Sequence, residues 1–190
     1  MTSSRVYKTQ GVLLARKNVG EADRILTVFT NEYGKLRVMA KGIRRVSSRR
    51  SPHLEVFAHV RLVIHHGKTM DSITEAETIE SFPHIRRDLS RIGIGYYLCE
   101  IIDTLLALHQ EHRDVFALLI HALRQLDTNP SSNLPVFAGR ISMELLRTLG
   151  FVAQGKEPLA VDVISYIEGI AEKRLKTPKF YRQLTRAAAI

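Results

Sequence analysis

The hydrophobic period changes once along this chain, near residue 83, and that change excludes most folds. Before it, apolar residues recur at every second position; after it, they recur at intervals of three and four. A run of period 2 buries one face as a strand, and a run of period 3.6 buries one stripe as a helix. The chain is therefore expected to be α+β of the segregated kind, mainly β and then all-α. Residues 1–82 are expected as one domain and 83–190 as a second.

Five strands are expected in the first part. "VYKTQGVLLARK" is a long extended run with Gly11 inside it, and an interior glycine predicts a bulge or a sharp bend. "DRILTVFT" is rich in β-branched and aromatic residues, and "NEYG" supplies a turn with Gly34 free to take positive φ. "KLRVMAK" alternates, with Leu36, Val38 and Ala40 on one face and Lys35, Arg37, Met39 and Lys41 on the other. "LEVFAHVRLVIHH" follows, with Val56, Ala58, Val60, Leu62 and Ile64 on one side, and "DSITEAETIES" returns as the fifth. Long, bent strands with short turns and one long basic loop (residues 42–52) predict a small closed barrel. A five-stranded OB-fold barrel leads, and an SH3-like barrel competes.

The second part predicts a bundle of four to five helices. The first carries a stripe of Leu89, Ile92, Tyr96, Cys99, Ile102, Leu105 and Leu106. The second carries Val115, Leu118, Leu119, Ala122, Leu123 and Leu126. The third carries Phe137, Ile141, Leu145 and Leu149 and ends at Gly150, a C′ glycine. "LAVDVISYIEGIAEKRL" gives a fourth, and Thr177 followed by Pro178 starts a fifth. Residues 130–135, "PSSNLP", read as a loop.

Charge then narrows function. The formal net charge is +9 and the sequence pI about 9.9, so a polyanionic partner is expected. The charge is concentrated in "GKLRVMAKGIRRVSSRRS", which holds Lys35, Arg37, Lys41, Arg44, Arg45, Arg49 and Arg50, with no acid between Glu32 and Glu55. Half of these cations project from one strand face and the rest continue into a Ser/Arg loop able to wrap a backbone. Cations so placed release counterions from phosphates, and a barrel face lets bases lie against side chains. These seven residues are the candidate nucleic-acid contacts. Tyr7, Tyr33, Phe29 and Phe57 are candidates for stacking or for the core. Lys173, Arg174, Lys176, Lys179, Arg182 and Arg186 form a second basic group, with no acid after Glu172.

Catalytic and metal signals are missing from the sequence. There is no phosphate-cradling glycine loop and no nucleophile elbow. Gly93 and Gly95 lie within a helical pattern and read as packing points. His65–His66 and His109/His112 lack metal-ligand spacing and read as solvated or strand-end groups. Cys99, the single cysteine, sits on an apolar stripe, which excludes an intrachain disulfide and a cysteine zinc site. No cofactor is expected. No run of 18 apolar residues exists and the first eleven residues lack a signal-peptide core, so a cytoplasmic, nucleoid-associated location is expected.

The residues "GVLLARKNVGEADRILTVFTNEYGKLRVMAKGIRR" closely resemble the N-terminal region of the bacterial recombination and repair family RecO. The order of "GEADRILTVFT", a turn ending "YGK" and a strand ending "AKGIRR" is the same, and "ITEAETIESF", "IRRDLSRIGIGYYLCEIIDTLL" and "ELLRTLGF" also fit. The resemblance is densest over residues 11–45 and weak beyond Phe151. It implies an OB-fold followed by a helical domain, and a non-catalytic recombination mediator. Such proteins bind single- and double-stranded DNA, anneal complementary strands, and act with RecR and single-stranded-DNA-binding protein to load the recombinase RecA. It further implies DNA contacts at Lys35, Arg37, Lys41, Arg44 and Arg45, extended here by Arg49 and Arg50. Arg24 matches the pattern, with Glu21 or Asp23 as its expected partner. Many members carry a four-cysteine zinc site after "LGF"; "LGFVAQGKEPLAV" has no cysteine, so no zinc is expected and the region after Phe151 is expected to be reduced.

Two other readings compete. An RNA-binding or ribosome-associated OB-fold protein suits the barrel and charge equally. A metal-dependent nuclease would use Asp71, Glu75 and Glu77, which form no evident ligand set.

Overall fold

A computed structural model describes residues 5–128, 133–153 and 163–177. The elements run β1 (Val6–Val19), β2 (Asp23–Thr30), β3 (Gly34–Ala40), β4 (His59–His65), β5 (Ser72–Glu80), α1 (Leu89–Leu105), α2 (Arg113–Thr128), α3 (Leu134–Thr148) and α4 (Val163–Ala171). Two compact units result: Met1–Ser81 with Leu106–Phe116, and Phe82–Leu105 with Ala117–Ile190. Residues 106–116 belong with the barrel unit. None of the described helices is long and apolar enough to cross a membrane.

The five strands close into a barrel in the order β1-β2-β3-β5-β4. This is the OB-fold arrangement of a small five-stranded barrel. β1 serves two neighbours: Val6 to Val12 pair with β4, and Gly11 to Val19 pair with β2. The strand therefore turns a corner near Gly11. The irregularity itself falls between Leu13 and Ala15, not at the glycine. Gly11 has a different reason: a Cβ there would lie 2.7 Å from Val28 Cγ1 and 2.9 Å from the Phe29 carbonyl oxygen. Closure is thinnest between β3 and β5, which are parallel and share the single pair Met39↔Ser72.

The alternating residues fill the barrel. Leu13, Leu26, Val28, Leu36, Val38, Val60, Leu62 and Ile64 are all buried in one cluster. Full burial of such a side chain is worth about 1.5–3 kcal/mol, so the period-2 pattern contributes substantially to the barrel's stability. β4 is shorter than expected. Val56 and Ala58 are buried, yet Phe57 has φ +74°, which interrupts the strand before His59. The Phe57 N–H donates instead to the Leu13 carbonyl at 2.9 Å.

Residues 106–116 run against β3. The His109 N–H donates to the Lys35 carbonyl at 2.9 Å, and Leu108 bridges Lys35. Gly34, at φ +64°, lets this segment approach: a Cβ would lie 2.0 Å from the Gln110 carbonyl oxygen. Phe116 then packs edge-on against Phe29 at 5.7 Å.

In the helical unit, α1 departs from its expected stripe. Leu89 and Tyr96 are 56% and 41% exposed, whereas Ile94, Leu98 and Ile101 are buried. Gly93 and Gly95 are buried with Tyr97, Cys99 and Ile102, so the helix is enclosed around most of its circumference. An enclosed helix has no clean amphipathic stripe. α3 agrees with its signals: Asn133 accepts the Val136 N–H at the start, and Gly150, at φ +78°, follows the last turn. The fifth helix expected after Thr177 lies outside the described residues.

Candidate nucleic-acid interface

β3 divides its side chains as the alternation requires. Leu36, Val38 and Ala40 point into the barrel, while Arg37 is exposed and Met39 half-buried. Lys35 departs from the expectation. It is 5% exposed, because the segment carrying Leu108 and His109 runs beside it. Its ammonium is therefore not presented to solvent as Arg37 is. Lys41, Arg44, Arg45 and Arg49 are exposed and Arg50 is intermediate.

The loop after β3 is not a free wrapping chain. Ile43, fully buried, anchors it in the core. The Gly42 N–H donates to the Asp23 carboxylate at 2.7 Å, and the Arg44 N–H donates to the Ala22 carbonyl at 2.9 Å. Turns closed by Arg45 N–H to Gly42 O at 3.1 Å and Ser48 N–H to Arg45 O at 2.9 Å carry it onward. Arg50 spans the thin side of the barrel: its guanidinium donates to the Ile73 carbonyl on β5 and, at 2.7 Å, to the Lys41 carbonyl just after β3. The planar fork of arginine suits two acceptors at fixed spacing. Arg50 thus holds the other cations in place, and His53 adds a second tie to Thr78 at 2.9 Å.

The "GEADR" residues serve this arrangement. Asp23 holds Gly42, so it is not the partner of Arg24. Arg24 donates to the Asn18 side chain at 3.1 Å and lies 3.7 Å from Glu55, which also pairs with Arg16. Arg44, besides its backbone bond, donates from its guanidinium to the Gly20 carbonyl at 3.2 Å.

Of the stacking candidates, Phe29 and Phe57 are core residues, at 0% and 3% exposure. Tyr7 is half-buried and packs against the barrel core, whereas Tyr33 is 42% exposed. Tyr7 lies between two rings, 4.8 Å from Tyr33 and 4.6 Å from His66. Its hydroxyl donates to Asp71 at 2.8 Å. Burial, and then the Asp71 carboxylate, push the phenol's pKa well above its ordinary value. Burial alone would raise the Asp71 carboxyl, but hydrogen bonds from Tyr7 and the Gly67 N–H, together with His66, hold it below the usual range. Arg5, His66 and Lys68 line a groove with Lys41. His66 follows the end of β4 at His65, Lys68 sits in the "HHGKTMD" turn, and Arg5 precedes Val6, the partner of His65.

Two of the three acids considered for chemistry have other partners. Glu77 accepts from Arg61 at 2.7 Å, and Asp71 is held as described. Among the described residues no group of three or more His, Cys, Asp and Glu is placed to hold a metal ion. Cys99 is buried, and that burial raises its thiol pKa far above neutrality, so it carries no nucleophilic thiolate. Of the second basic group, Arg174 lies 3.7 Å from Glu168, and Lys179, Arg182 and Arg186 lie outside the described residues.

Comparison with known proteins places this geometry. Residues 1–82 match the family model "Recombination protein O N terminal", and residues 86–155 match "Recombination protein O C terminal". A DNA repair protein RecO from Roseiflexus sp. (strain RS-1) is 35% identical over 150 residues, covering 79% of this chain and 52% of the relative. Another from Symbiobacterium thermophilum is 32% identical over 149 residues, covering 77% and 57%. One from Gloeothece citriformis is 31% identical over 169 residues, covering 85% and 59%. The chain thus spans somewhat over half the length of these relatives.

Proposed function

The chain belongs to the recombination protein O family, and from that premise we propose that it is a non-catalytic DNA-binding mediator of recombinational repair. The observation that carries the reading is a one-signed set of exposed cations, Arg37, Lys41, Arg44, Arg45 and Arg49, borne on a strand and loop that the barrel holds rigid. A backbone held in this way spares the loop its own ordering cost on binding, leaving only that of the exposed side chains. Phosphates gain from it by counterion release, whatever the sequence, and both single- and double-stranded DNA offer them.

Annealing follows from the same physics. Two complementary strands repel until their phosphates are screened, and a cationic surface lowers that repulsion without nucleotide hydrolysis. Lys35 supports the site from within β3 rather than from the surface. RecR and single-stranded-DNA-binding protein are proposed partners in loading recombinase, on the strength of the family alone.

The test is fluorescence-quench annealing of two complementary oligonucleotides across a salt series, without nucleotide or metal. Acceleration that fades as salt rises is the expected result. Binding without acceleration would remove the annealing role, and absence of binding would remove the reading altogether.

A further inference from the structure

The basic loop carries two hydroxyls among its arginines. "RRVSSRR" places Arg44 and Arg45 three and two residues before Ser47, with Arg49 two residues after it. Ser47 is the only serine or threonine of the chain that stands two residues after an Arg-Arg pair. The structure separates the two serines. Ser47 is exposed, next to Val46, which projects fully into solvent. The Ser48 hydroxyl oxygen is buried. The turn across Ser47 is closed by the Ser48 N–H, which donates to the Arg45 carbonyl at 2.9 Å. The anchors of the loop, at Gly42, Ile43 and Arg50, lie outside that turn. The residues around Ser47 can therefore open locally while the loop stays attached.

We propose that Ser47 is a phosphorylation site for an arginine-directed serine/threonine protein kinase, and that its phosphate turns off the cationic surface around it. The inference rests on the DNA-binding reading and adds a regulator to it. A kinase whose peptide cleft is lined with carboxylates takes the two guanidiniums ahead of Ser47 by charge-assisted hydrogen bonds. In the transfer, the Ser47 Oγ attacks the γ-phosphorus of ATP. The new O–P bond forms as the bond from that phosphorus to the β,γ-bridging oxygen breaks, ADP leaves with the electron pair, and the hydroxyl proton passes to the kinase's carboxylate base. The product carries a charge of about −1.5 to −2 at neutral pH and three strong acceptor oxygens. Arg45 and Arg49, each two residues from Ser47, then pair with the protein's own phosphate instead of a phosphate of DNA. The same dianion repels an incoming strand. Both single and double strands lose affinity, because counterion release serves both.

The test treats the full chain with the catalytic subunit of an arginine-directed serine kinase and Mg-ATP, and maps the phosphate by peptide mass. One phosphate on Ser47 is expected, abolished by Ser47→Ala and retained by Ser48→Ala. The modified protein is then titrated with a fluorescent single strand and a duplex across a salt series. Affinity for both is expected to fall about 10-fold or more at low salt, with a slope shallower by roughly 2, and phosphatase treatment restores both. Ser47→Ala binds DNA as the wild type does before and after kinase treatment, which separates the phosphate's effect from damage to the loop. A chain left unmodified, or modified elsewhere than Ser47, would overturn the site. Phosphate on Ser47 with affinity and slope unchanged would overturn the regulation. In these cases the DNA-binding reading stands, because it fails only if the unmodified chain binds neither ligand, and that result would take the regulation with it.

Discussion

The barrel and the helical unit use charged side chains in opposite ways. On the barrel, most cations are turned outward, Lys35 and Arg50 excepted, and the backbone around them is fixed. In the helical unit, charged groups turn inward to close chain ends. Asp127, 9% exposed, accepts the Ile85 N–H at 2.9 Å and His84 at 3.1 Å. Arg91 donates to the carbonyls of Leu126 and Asp127 at the end of α2. Glu100 accepts the N–H groups of Lys176 and Thr177, both at 2.8 Å. Arg91 satisfies carbonyls that the end of α2 leaves without partners, and the two carboxylates satisfy N–H groups of the connecting segments. Composition alone cannot separate the two uses; the contacts do.

The sharpest way to break the contrast is to remove an inward charge. Asp127→Ala strands a buried N–H and is expected to cost about 2–3 kcal/mol, read as a lower denaturation midpoint with DNA affinity of the remaining folded protein unchanged. Next is Arg50, which lies between the categories. Arg50→Ala removes two carbonyl ties and is expected to lose about 1–2 kcal/mol and to weaken DNA binding as well. Arg50→Lys cannot span both carbonyls and should restore less than half of either loss, measured by thermal melting and strand titration. Outward cations should behave differently again. Arg44→Ala with Arg45→Ala is expected to change stability by under about 0.5 kcal/mol while reducing the salt slope of binding by roughly 1–2.

The smallest effect concerns Asp71. Its carboxyl pKa is depressed in the folded state relative to an unfolded value near 3.9, so its contribution is present above about pH 4 and is lost as pH falls through the folded value. The stability gap between wild type and Asp71→Asn should therefore be constant near neutrality and narrow below about pH 4, followed by acid titration of the melting midpoint. A gap that widens with acid would reverse the sign of this assignment.

How much was legible in the sequence follows from the same contrast. β3 was readable because one side of it packs and the other does not, so Leu36, Val38 and Ala40 announce themselves. Lys35 was misplaced because its cover comes from residues 106–116, which no local pattern links to β3. α1 was misread for a related reason: packing on most sides erases the stripe that sequence reading depends on. The basic loop was visible as charge, but its rigidity was not. That depends on Asp23, Ile43 and Arg50, and only Arg50 looked functional beforehand. The aromatic cluster gathers Tyr7, Tyr33 and His66 from three separate strand ends, which no local pattern links.

The most direct test of the account is the salt dependence of binding to a fluorescent single strand, measured for the wild-type chain and for Arg44→Ala with Arg45→Ala. The account predicts a straight fall of log affinity with log salt for the wild type and a slope shallower by roughly 1–2 for the variant. A wild-type affinity indifferent to salt, or a slope that the two substitutions leave unchanged, would contradict it.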